Sequence, residues 1–144
     1  MPAITPINDK TTWNTLVQTF PDYTFLQSWQ WGQVQQDSGE TVYRFAMYQG
    51  KTLVSLCQFF TQTAKRGKIL FLPHGPLFKN QTDTKYLKNW LNHLKVVAKD
   101  NHCLCIRVSP LLEENAENLS LFNNLKFQKA SVIMHAEDTW LVDL

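Results

Sequence analysis

His93, His102, Cys103 and Cys105 bring metal-binding side chains within thirteen positions of one another. Zinc sites place two to four residues between their cysteines, and Cys-x-Cys places only one. In the apolar run around them, Cys103 and Cys105 point to one face of a strand, as small buried hydrophobes would. With Cys57 they number three, so they cannot all pair, and no disulfide framework is expected. No metal is expected either.

Nucleotide chemistry needs glycines in clusters. A pyrophosphate is cradled where successive backbone amides open a helix, as in Arg/Gln-x-x-Gly-x-Gly/Ala. Gly32, Gly39, Gly50, Gly67 and Gly75 are all isolated from one another. Acetyl-CoA is therefore not expected, and neither a P-loop nor a dinucleotide fingerprint is present. No serine lies in Gly-x-Ser-x-Gly, and no cysteine has a partner visible in the sequence.

Binding groups are easier to find. Arg107 lies in an apolar strand and requires an anionic partner, either a buried ion pair or a substrate. His74 follows a strand and precedes Gly75, a place for a ligand contact or for an exposed loop histidine. Trp29 and Trp31 cannot share a helical face, so one belongs to the core, and Trp31 is the candidate for lining a groove. Lys85, Lys88, Lys95 and Lys99 form a stripe at helical spacing, either a solvated face or a contact for tRNA or an anionic membrane surface. Lys65-Arg66-Gly67-Lys68 reads as a solvated hairpin turn.

The elements that position these residues follow from periodicity. Trp13, Leu16, Val17 and Phe20 make an amphipathic stripe, with Thr11 or Thr12 at its start and Pro21 beyond its end. Ser28 caps a helix over 28–37, and Gly39 sits where that helix ends. Residues 41–48 and 52–63 alternate about Gln49-Gly50-Lys51 as a hairpin. Ile69 to Leu72 is a short, central, fully apolar strand. A helix over 84–100 carries Leu87, Trp90, Leu91, Leu94 and Val97 or Ala98 on its buried stripe. A strand at 103–108 follows. A short helix then gathers Glu113, Glu114 and Glu117 at its start and buries Leu119, Phe122 and Leu125. Strands over 127–134 and 138–144 close the chain. The order ααββ–β–α–β–α–ββ predicts an α+β domain with a mixed, mostly antiparallel sheet flanked by helices.

Composition sets the outer bounds. The 144 residues suffice for one domain with a sizeable core, and 44% apolar with 18% charged residues is an ordinary globular balance. A net charge of +2 gives no argument for nucleic acid. No apolar run reaches the roughly 20 residues of a membrane helix, so no transmembrane segment is expected. MPAITPINDK holds no apolar signal region, and a cytoplasmic location follows.

Several of these stretches together resemble the Fem family of non-ribosomal peptidyltransferases. The carriers are Leu26, Gln27, Ser28 and Trp31 in LQSWQWGQ, Gly75 and Pro76 in FLPHGPLF, Arg107 and Pro110 in IRVSP, and the closing TWLVDL. The resemblance implies an acetyltransferase-like (GNAT-like) fold and the first of two related domains, residues 1–144 forming a single domain like the N-terminal half of the family's proteins. It implies an aminoacyltransferase that moves amino acids from aminoacyl-tRNA to the stem peptide of a cell-wall precursor. The acceptor is a nucleotide- or lipid-linked muropeptide, and aminoacyl-tRNA, the co-substrate, engages through the second half, where most of the reaction centre lies.

Family members often carry a lysine after the motif tryptophan, aimed at the acceptor's phosphates; here that neighbourhood is Gln33-Val34-Gln35-Gln36. An acid usually precedes the proline of the Arg-x-x-Pro strand; here it is Ser109. The implied substrate-binding residues are thus Trp31, Gln33, Gln35, His74, Arg107 and Ser109, with no catalytic residue assigned and no cofactor. Two alternatives remain open: a non-catalytic binding or assembly module derived from the family, and a stand-alone N-acyltransferase. Thr139 to Leu144 end on an apolar strand pattern near Trp140, which is expected to self-associate or to meet the second domain.

Overall fold

The computed structural model describes residues 1–135. Its elements run β1 (Ala3–Pro6), α1 (Lys10–Val17), a 3-10 turn (Phe25–Gln27), α2 (Trp29–Asp37), β2 (Val42–Gln49), β3 (Thr52–Ala64), β4 (Gly67–Pro73) and β5 (Leu77–Phe78). A second 3-10 turn (Gln81–Tyr86) leads into α3 (Leu87–Asp100), then β6 (Cys105–Ser109) and α4 (Ala116–Asn124). The sheet order is β1-β2-β3-β4-β6, with β5 beside β3. Pairing is antiparallel except between β4 and β6, which run parallel from Ile69↔Cys105 to Pro73↔Ser109. This is the mixed, mostly antiparallel α+β architecture expected.

Each face of the sheet carries its own core. On one side Trp90, Leu94 and Ala98 of α3 pack on Met47, Cys57, Phe59, Leu70 and Leu72. On the other, Trp13 and Val17 of α1 pack with Phe20 on Ala46, Leu56 and Leu77. Because both faces are covered, β3 is buried without a break from Val54 to Thr61. Two polar anchors tie these layers: Trp90 Nε1 donates to Ser55 Oγ at 2.8 Å, and Ser55 Oγ donates to the Leu77 carbonyl at 2.6 Å.

Several expectations need correction. Thr11 and Thr12 lie in the first turn of α1 as read, and its cap is Asp9, which was not singled out and accepts from Thr12 N–H at 2.7 Å. β1 and β5 are additional strands; each is too short for a periodic signal. Cys105 is exposed and Cys103 half-buried, because the pair straddles the start of β6, a strand flanked by β4 alone among the described residues; Cys57 is the buried cysteine. His93 packs edge-on against Phe45, whereas His102 adopts φ 57 just past the end of α3. Leu119 is 49% exposed, and α4 instead buries Asn118, whose Nδ2 donates to the Glu113 carbonyl. Residues 127–134 form no strand. The final strand expected over 138–144, with its surface at Trp140, lies outside the described residues. Among the described residues no helix is long and apolar enough to cross a membrane.

Candidate functional site

β4 pairs β3 only from Phe60↔Phe71 outward, and β5 rejoins β3 at Leu56↔Leu77 and Ser55↔Phe78. Between these segments β3 has no strand partner at residues 57–59 on that side. The side chain of Gln27, fully buried, fills the gap. Its Oε1 accepts from Gln58 N–H at 2.7 Å, while its Nε2 donates to the Gln58 carbonyl at 2.9 Å and the Pro73 carbonyl at 2.8 Å. An antiparallel strand residue would exchange the same two bonds, so the carboxamide acts as one missing peptide of the ladder. A methyl group on Gly75 would lie 2.8 Å from Gln27 Nε2 and 3.0 Å from Cys57 Sγ, so only glycine lets the loop close over this plug.

The Gln58 side chain continues the network toward α2. Its Nε2 donates to the carbonyls of Ser28 (2.8 Å) and Leu26 (3.3 Å), and its Oε1 accepts from Arg44 Nε at 2.7 Å. Ser28 Oγ accepts from Trp31 N–H at 3.1 Å, the expected cap of α2. Thus Leu26, Gln27 and Ser28 lock the first turn of α2 onto the sheet. Gly32 belongs to the same lock, since a Cβ there would fall 2.2 Å from Arg44 Nη2 and 2.3 Å from Gln58 Oε1.

Around this lock the sequence-predicted residues separate into two groups. His74 and Ser109 meet at the carboxyl ends of the parallel pair β4–β6, a place where parallel strands commonly present ligand-binding groups, and Arg107 stands mid-strand in β6 opposite Phe71. His74 takes φ 50, held there by its N–H donating to Ser109 Oγ at 3.2 Å and by its Nδ1 at 2.8 Å from Thr24 Oγ1. Ser109 Oγ also contacts the Leu72 carbonyl at 3.4 Å. Burial, and secondarily the neighbouring His135, lowers the His74 pKa, which favours a neutral imidazole near pH 7. His135 stacks on Phe71 at 5.5 Å and meets His74 edge-on at 5.7 Å. Arg107 is half-buried rather than buried; it donates to the Val132 carbonyl, lies 6.0 Å above Phe71, and has no carboxylate partner among the described residues.

Trp31 joins this surface through Phe25, which it meets edge-on at 5.5 Å, next to Thr24. It is half-buried, and its buried indole N–H has no partner among the described residues. Gln33 and Gln35 stand apart from the strand ends. Gln33 is exposed and donates to Asp37 Oδ1 at 2.9 Å, one turn along α2, and Gln35 makes no side-chain hydrogen bond among the described residues. Lys85, Lys88, Lys95 and Lys99 are all exposed. Sequence reasoning missed Thr24, Arg44, Gln58 and His135, none of which stands in a local pattern that marks it.

The FemAB family model matches residues 9–139. This chain belongs to the FemAB family. Among solved structures it superposes on FemX with a TM-score of 0.73 at 16% identity, covering 85% of this chain and 31% of that one. The chain therefore spans about a third of the FemX length. An acetyltransferase with acetyl-CoA from Clostridium acetobutylicum aligns with a TM-score of 0.63 at 10% identity, over 95% of this chain and 96% of its own. The aminoglycoside antibiotic 6'-N-acetyltransferase AAC(6')-IG from Acinetobacter haemolyticus gives 0.59 at 14% identity, over 96% and 99%. These likenesses establish the acetyltransferase-like fold of this FemAB chain. No curated protein matches it.

Proposed function

We propose that this chain is the acceptor-binding half of a Fem-type aminoacyltransferase acting on a cell-wall precursor. The observation that carries the reading is the FemAB match over residues 9–139, joined to a chain that spans 31% of FemX. In this reading a nucleotide- or lipid-linked muropeptide lies along Trp31, Thr24, His74 and the strand end at Arg107 and Ser109. Gln33 and Gln35 offer neutral hydrogen-bond donors from α2, weaker toward phosphate than a cation would be. Aminoacyl-tRNA engages through a second domain, which carries most of the reaction centre, and the work is done in the cytoplasm. No step is assigned to a cofactor. Such a transfer needs a positioned amine, an ester and an oxyanion donor, and the contribution of this half is positioning.

The test is calorimetric titration of the chain with a nucleotide-linked muropeptide precursor, repeated with Trp31→Ala and His74→Ala. Saturable binding weakened by both substitutions is expected. No binding, or binding indifferent to both, contradicts the assignment. A second reading, a stand-alone N-acyltransferase, draws on the acetyltransferase likeness, which runs over nearly the whole length of those proteins. Acetyl-CoA in the same titration separates the two. A non-catalytic module would bind the precursor and never support transfer, whatever second domain is supplied.

A further inference from the structure

Arg44 is 8% exposed, yet no carboxylate pairs with it among the described residues. It is held by neutral groups only. Its Nε donates to Gln58 Oε1, its Nη2 donates to the Trp29 carbonyl at 3.2 Å, and its guanidinium lies 3.7 Å above the Trp29 ring. A buried cation without an anion pays for desolvation, and burial lowers the Arg44 pKa to about 10. The group stays charged at neutral pH all the same.

Two of its five N–H groups are satisfied, and the three left belong to Nη1 and Nη2. Beside them is a cleft of about 270 Å3, bounded by α2, by the first half of β2 and by the residues that follow β1. Among the described residues no aspartate or glutamate lines it. Its remaining polar lining includes Asn8 and Gln36, both exposed and both able to donate through an amide, while the Tyr43 hydroxyl is already bonded to Asn101. The cleft thus combines a positive, pre-positioned planar fork with two amide donors and an aromatic wall.

We propose that this cleft is an oxyanion-binding site, in which a carboxylate or phosphate closes two hydrogen bonds on the outer edge of the Arg44 guanidinium. That edge is the geometry on which arginine binds either group bidentately. Trp29 and Gln58 fix the fork before the ligand arrives, so little side-chain order is lost on binding. The inference is independent of the transferase reading, because the cleft shares none of His74, Arg107 or Ser109.

The test adds inorganic phosphate and acetate separately, at constant ionic strength, and follows the Trp29 indole and Arg44 Nε signals by NMR. Gln36→Glu places a carboxylate at the mouth of the cleft without touching the core. Gln30→Glu, on an exposed position of α2 outside the cleft, makes the same charge change. A saturable shift in the wild type, weakened at least about tenfold by Gln36→Glu and kept in Gln30→Glu, supports the site, and the anion that saturates identifies the ligand class. No saturable shift with either anion overturns the proposal. So does a response that Gln36→Glu leaves intact, or one that Gln30→Glu abolishes equally.

Discussion

Gln27 and Gln58 exchange two hydrogen bonds, side chain to backbone, across a break in the sheet where no strand lies. This relationship explains why a Leu-Gln-Ser stretch begins α2. Leucine fills the core, serine caps the helix, and the glutamine between them completes the ladder. In the gap between the β3–β4 and β3–β5 ladders, a side chain imitates a peptide.

Gln27→Ala should therefore be among the costlier single changes. It leaves the Gln58 N–H and carbonyl and the Pro73 carbonyl buried without their partner. Unmet groups of this kind cost about 1–3 kcal/mol each, so a loss of roughly 3 kcal/mol or more is expected. In a chain of this size that lowers the melting temperature by on the order of 10 °C. Gln27→Glu keeps the acceptor but sets a carboxylate oxygen against two carbonyls. Its penalty should shrink as the pH falls and the carboxyl protonates; thermal melts of both variants at neutral and acidic pH check this.

Gly32→Ala improves intrinsic helix propensity by about 1 kcal/mol and should still destabilise the protein. The new methyl group lands on Arg44 Nη2 and Gln58 Oε1, neither free to move without breaking the lock. Gln30→Ala, on an exposed position of the same helix, should be neutral or slightly stabilising. Denaturant midpoints of the two variants should move in opposite directions or differ clearly. Equal midpoints would mean that the lock yields at little cost.

Three histidines tie stability to pH. Burial lowers the pKa of His74, His93 and His135 below the ordinary 6.5, helped at His74 by His135 and at His135 by Arg107. The unfolded chain then binds more protons than the folded one once the pH drops to about the free-histidine value. Their contribution is fully present above about pH 7 and is lost as the pH falls through the folded values. The melting temperature should decline between about pH 7 and 5, and His93→Gln should flatten part of that decline. A profile flat over this interval would show that these rings titrate as they do in water.

How much of this was legible in the sequence depended on range. The α2 cap at Ser28, the hairpin about Gly50 and the stripe of α3 are local, and each appears as read. The role of Gln27 is not local, because its partners lie 31 and 46 residues away. The burial of β3 on both faces was concealed by an alternating pattern, since Ser55, Gln58 and Thr61 are polar yet buried and hydrogen-bonded. Residues 127–134 show the converse. Val132 and Ile133 have strand composition, yet they are 61% and 66% exposed and pair with no strand among the described residues. Strand propensity is realised only against a neighbour that supplies the ladder. At the site, His74 and Ser109 were flagged separately, and the parallel pairing of β4 with β6 is what brings them together.

We propose that this FemAB chain holds an acceptor and depends on a second domain for transfer. Labelled aminoacyl-tRNA and a nucleotide-linked muropeptide precursor, incubated with the 144-residue chain alone, test it most directly. Saturable binding of the precursor with no labelled product is expected. Multiple turnovers by the chain alone would contradict it.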